Sequence, residues 1–190
     1  MLPAAMTTHD ATSGAGGITA TRPSVLLEAG AVRVVFTWQG DRWSHHLEPA
    51  AGGAAAGSDA SGESSWRSLD GAWPAAGDPR WPASPVLVEL SQVDRPHVGP
   101  AILAVGMAGR SHYSASVIRD PTLIDAVRFE IACRIHDGPG WLGSTYRQGS
   151  RLLRIEAAVP AAPLPLTVEW SYSLGAAGIF GIRGATLSTQ

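Results

Sequence analysis

Along the chain, apolar and polar residues alternate in short runs separated by turn residues, and no stretch sustains the i, i+3, i+4 spacing of an amphipathic helix. The clearest run is Val32 to Glu48, VRVVFTWQGDRWSHHLE. Gly40-Asp41 at its middle suits a two-residue hairpin turn, because glycine takes the positive φ that such turns need. That turn sets Trp38 against Trp43, Phe36 against His45 and Val34 against Leu47 on one face. On the other it sets Gln39 against Arg42, Thr37 against Ser44 and Arg33 against Glu48, the last a cross-strand ion pair. His45 and His46 then point to opposite faces, so they cannot hold one metal together. His45 reads as a packed core histidine and His46 as an exposed one.

A second hairpin is expected over Pro100 to Ile118, PAILAVGMAGRSHYSASVI. Face matching favours a three-residue loop, Met107 to Gly109 or Ala108 to Arg110. Leu103 and Val105 then join Tyr113, Ala115 and Val117 in the core. Ile102, Ala104 and Gly106 share the outer face with His112, Ser114 and Ser116. Further strands are expected at Val25–Glu28, Pro85–Val93, Val127–His136, Trp141–Arg147, Arg151–Val159, Thr167–Leu174 and Ile179–Leu187. Val127, Phe129, Ile131, Cys133 and Ile135 fall on one face, which makes Cys133 a core thiol. Leu153, Ile155, Ala157 and Val159 are buried in one later strand, and Val168, Trp170, Tyr172 and Leu174 in the next. Nine to eleven short strands with regular turn signals predict an all-β fold, an antiparallel β-sandwich, with a β-barrel as the alternative.

Composition then divides the chain. Residues 1–22 are rich in Ala, Thr and Gly and are expected to be a disordered tail, without the basic and apolar regions of a signal peptide. Residues 49–65 are a low-complexity, flexible insert within a single β-sandwich domain spanning 23–190. Trp66 to Pro85 holds three Trp and four Pro, and reads either as a cover over the end of the sandwich or as an aromatic platform. Of the 190 residues 45% are apolar and 16% charged, with a net charge of −2, so nothing points to nucleic acid or an anionic membrane. No apolar run approaches the roughly 18 residues of a transmembrane helix. All fourteen basic residues are arginine, and a single Cys excludes an internal disulfide, which fits a cytoplasmic protein.

The chemical motifs are few. There is no dinucleotide or P-loop glycine pattern, no nucleophile elbow, no zinc or calcium motif, and so no cofactor or metal is expected. One polar strip remains. If Val127–His136 pairs antiparallel with Ser111–Ile118, Arg134 lies near His112 and Glu130 near Ser116. A histidine beside Ser114 and Arg134 has the makings of a base with an anion-stabilising partner, the pattern of a small hydrolase. Trp66, Trp73 and Trp81 are the candidate binding residues of a carbohydrate-binding module. The favoured reading is a non-enzymatic β-sandwich that binds a protein partner or associates with itself, the strip being an ordinary solvated face.

The stretches FTWQGDRWSHH, WPASPVLVEL, GMAGRSHYSASV, FEIACR and LGSTYR together resemble a family of uncharacterised bacterial proteins with no assigned function. The resemblance covers approximately Val32 to Arg147 without the Ala/Gly-rich insert. It implies that these stretches form one unit, and it carries over no functional residue.

Overall fold

A computed structural model describes residues 22–50, 65–69 and 80–189. Residues 1–21 of the expected tail and nearly all of the insert lie outside the described residues, as does Trp73; Arg22, placed in the tail, instead lies over the Trp38 ring at 3.9 Å. Thirteen strands and no helix occur among the described residues: β1 (Val25–Ala29), β2 (Val32–Trp38), β3 (Trp43–Pro49), β4 (Trp66–Ser68), β5 (Glu89–Arg95), β6 (Gly99–Ala108), β7 (Ser111–Arg119), β8 (Ala126–Ile135), β9 (Gly143–Gln148), β10 (Arg151–Ala157), β11 (Leu166–Gly175), β12 (Gly178–Arg183) and β13 (Ala185–Thr189). They form a seven-stranded sheet, β1-β2-β3-β4-β9-β10-β13, and a six-stranded sheet, β12-β11-β8-β7-β6-β5. Every pairing is antiparallel and neither sheet closes on itself, so the fold is a β-sandwich rather than a barrel.

The first hairpin has the register that its turn and pair chemistry predict. Trp38 faces Trp43, Phe36 faces His45, and Arg33 faces Glu48 with an Nε–Oε1 distance of 2.6 Å. His45 is buried, whereas His46 is half-buried rather than exposed, its Nε2 3.2 Å from Glu48. In β8 and β11 the expected apolar positions are all buried. Val159 is not: β10 ends at Ala157 and Val159 is exposed. The segment Ile179–Leu187 is two strands, not one. Gly184, at φ 66, lies against the Glu169 carbonyl where a Cβ has no room, and there the chain passes from the six-stranded sheet to the seven-stranded one.

Two observations locate the core. Phe129 of β8 stacks on His45 of β3 at 5.0 Å and on Tyr172 at 5.2 Å, so the sheets meet through an aromatic cluster. The Trp81–Val88 segment then ties one sheet to the other. Ser84 Oγ donates to the Thr145 carbonyl and accepts from its N–H, both at 3.1 Å, while Val88 N–H donates to the Val105 carbonyl at 2.8 Å. Cys133 sits in this core opposite Tyr113, and burial pushes its thiol up to about 12. The native protein is therefore expected to resist thiol reagents at neutral pH until it unfolds, and Cys133→Ser is expected to cost about 1–3 kcal/mol by burying a hydroxyl. Rapid labelling of the folded protein would contradict this placement.

Candidate functional site

The β6–β7 hairpin determines which side chains the six-stranded sheet shows to the outside. Ala108 pairs with Ser111, so the loop is the two residues Gly109-Arg110, with Gly109 at φ 58. This corrects the expected three-residue loop, and it moves β6 by an odd number of residues relative to its partner, one from the Ala108–Arg110 loop and three from the Met107–Gly109 loop. Ile102, Ala104, Gly106 and Ala108 now face inward with Tyr113, Ala115 and Val117. Leu103, Val105 and Met107 face outward with His112, Ser114 and Ser116. The physical reason is Gly106. The backbone of Val86 and Leu87 lies so close over it that any Cβ would collide with the Val86 carbonyl. Only a strand with small residues at these positions can pass under that segment.

Leu103 is 39%, Val105 49% and Met107 52% exposed. The registers of the neighbouring strands extend each into a row across the sheet: Leu103–Ser116–Glu130–Ser171–Arg183, Val105–Ser114–Ala132–Glu169 and Met107–His112–Arg134–Thr167. His112 thus stands opposite Arg134 and Ser116 opposite Glu130, as face matching predicts. Serine and alanine in the middle strands β7 and β8 leave a trough between the apolar row of β6 and the charged residues of β8, β11 and β12. It comprises two adjoining depressions of about 700 and 620 Å3 that share Val105, Ser114 and Ala132. Both signs of charge line it, and Glu130 is engaged by Arg128 Nε at 3.2 Å. Ser116 Oγ is shielded from solvent and has no hydrogen-bond partner.

The structure brings His112, Ser114 and Arg134 to the rim of one depression. It does not join them: His112 and Ser114 are two residues apart on one strand, about 7 Å between Cα atoms, and no hydrogen bond links any two of the three. The His112 ring lies 6.2 Å from that of His136 between centroids. Sequence reasoning placed Leu103 and Val105 in the core and Ile102, Ala104 and Gly106 on the outer face, and the structure reverses both assignments.

The tryptophan platform is not formed by Trp66 and Trp81. Trp66 is in the core on β4, its Nε1–H donating to the Ala176 carbonyl at 3.4 Å, and Trp81 is buried in the connecting segment. Neither ring has a face free for a sugar to stack on. Among the described residues no group of three or more His, Cys, Asp or Glu side chains is placed to hold a metal ion.

A second polar group, buried between the sheets, was not legible in the sequence. His45 Nε2 and Tyr146 Oη are 2.7 Å apart, and Tyr146 Oη and Tyr172 Oη are also 2.7 Å apart. Burial, with a smaller contribution from His46, holds the His45 imidazole down at about 3, and burial pushes the Tyr172 phenol well above its ordinary range. The cluster is a satisfied structural network closed off from substrate.

No family model, no curated protein and no solved structure matches this chain. The resemblance to uncharacterised bacterial proteins gains no support from these comparisons.

Proposed function

We propose that this protein acts by binding, and that the outer face of its six-stranded sheet receives another protein. The observation that carries this reading is the row Leu103, Val105 and Met107. Three large apolar side chains stand consecutively along one strand, all more than a third exposed, beside a trough long enough to seat a partner. Contiguous exposed apolar surface rimmed by polar groups marks interaction sites. The described surface of the trough lacks aromatic stacking faces, which disfavours a glycan, and its charges of both signs disfavour a polyanion. The lone buried thiol of Cys133 suits a reducing compartment such as the cytoplasm.

The test is a double variant, Val105→Glu with Met107→Glu. Both residues are exposed, so stability is expected to change by no more than about 0.5 kcal/mol. Two carboxylates in the apolar row are expected to abolish partner retention when the protein is recovered from its source cells, or self-association in sedimentation if the partner is a second copy. Unchanged retention and unchanged association would overturn the reading. One observation favours a second reading, a small hydrolase: His112, Ser114 and Arg134 line the same depression. It predicts that His112→Ala removes a measurable turnover while leaving partner retention intact, the reverse of the outcome expected for the glutamate variant.

A further inference from the structure

The opposite side of the sandwich carries a charge arrangement that the protein-binding reading does not use. In β4, Trp66 and Ser68 face inward and Arg67 faces outward. Its register partners are His46 on β3 and Arg147 on β9. Arg67 and Arg147 are therefore directly opposed on adjacent strands, with Cβ atoms about 5 Å apart, an arrangement that repels unless something negative sits between the two. Both are exposed, and among the described residues neither guanidinium has an ion-pair or hydrogen-bond partner. Two carboxylates of this face are engaged by other residues. Glu48 is held by Arg33 at 2.6 Å and by His46 at 3.2 Å, and Asp41 is held by Arg42 at 2.7 Å. Beside Arg67 lies a depression of about 460 Å3, lined also by Gln39, Asp41, Arg42, Ser44 and His46.

We propose that Arg67 and Arg147 form a binding site for an oxyanion, a phosphate or sulfate group gripped between their guanidinium forks. A guanidinium presents several N–H donors in one plane and matches a tetrahedral oxyanion bidentately, so two opposed forks can share one anion and remove their mutual repulsion. The adjacent depression leaves room for whatever carries the group. An anion here does not need the trough on the other sheet, so this site stands or falls independently of the protein-binding face.

Two measurements on the full chain test it. In the first, inorganic phosphate is titrated at constant ionic strength while the Nε–H signals of arginine are followed by NMR. Saturable shifts at Arg67 and Arg147 are expected, weakened by about tenfold or more in Arg147→Gln. A parallel titration with phenyl phosphate reports the source: equal affinity for the two indicates a free ion, and tighter binding of the monoester indicates a group borne on a larger molecule. Shifts that never saturate, or the same affinity in Arg147→Gln, would overturn the proposal. The second measurement is thermal unfolding in low-salt, phosphate-free buffer. Relief of repulsion is expected to raise the Tm of Arg147→Gln above that of the parent protein, and phosphate is expected to raise the Tm of the parent protein only. A lower Tm for the variant without phosphate would assign Arg147 a packing role and refute the anion site.

Discussion

Lowering the pH from 7 to 5 is expected to cost the folded protein about 2 kcal/mol through His45 alone, and about 4 kcal/mol by pH 3. The folded-state value, about 3, lies below the ordinary 6.5 because protonation would place a charge in the aromatic core between Phe36, Phe129 and Tyr146. The unfolded chain binds that proton and the native state does not. Stability is therefore fully present above 6.5, falls as the pH drops through that value, and keeps falling until about 3. Urea unfolding of the parent protein and of His45→Gln at pH 7 and pH 5 isolates this contribution. The glutamine retains a hydrogen-bonding group for Tyr146 but does not titrate. Its absolute stability is lower, because the ring contacts with Phe36 and Phe129 are lost, yet its loss between the two pH values is expected to be about 2 kcal/mol smaller. Equal pH slopes would mean that His45 is solvated in the native state.

Gly106→Val is expected to destabilise by about 3 kcal/mol, the upper end of the usual cost of overpacking. A Cβ at this position meets the carbonyl of Val86 and the Cα of Leu87, which are backbone atoms and cannot rotate away. The substitution also separates the two possible registers of the β6–β7 hairpin. On an outward-facing Gly106, valine is neutral or favourable, since glycine is a poor strand residue and valine a good one. Equilibrium unfolding of this single variant thus decides whether Leu103, Val105 and Met107 face the solvent. A Gly106→Val protein as stable as its parent would return these side chains to the core and remove the proposed binding row.

What was legible in the sequence follows from how local each decision is. The β2–β3 register is set by a glycine-first turn and by pairs that are chemically matched within seventeen residues, and both cues agree. Strands β8 and β11 alternate cleanly because one face of each lies against the opposite sheet. The β6–β7 hairpin carries a glycine-first pair too, Gly109-Arg110, but residue size pointed to a three-residue loop: large Leu103 and Val105 look like core, and small Ala104 and Gly106 look like surface. The deciding neighbour, the Val86–Leu87 backbone, is distant in sequence and irregular, so no periodicity reveals it. The same holds for Gly184, where the approach of Glu169 ends one strand and starts another in the other sheet. The His45–Tyr146 contact spans 101 positions and could not be read from either segment alone. The polar strip was half legible. The opposition of His112 to Arg134 follows from alternation, but the apolar row beside it depended on the register of β6.

The binding face is tested most directly by a photoreactive amino acid placed at position 105 and, as a control of similar exposure on the other sheet, at position 26. Val105 is 49% and Leu26 42% exposed. Irradiation in extracts of the source cells is expected to give a discrete protein adduct from position 105, whether a second copy or another chain, and only background from position 26. Addition of excess unlabelled parent protein is expected to suppress the adduct, and excess Val105→Glu/Met107→Glu protein is not. The same faint products from both positions, or an adduct that the glutamate variant suppresses equally well, would contradict a partner seated on Leu103, Val105 and Met107.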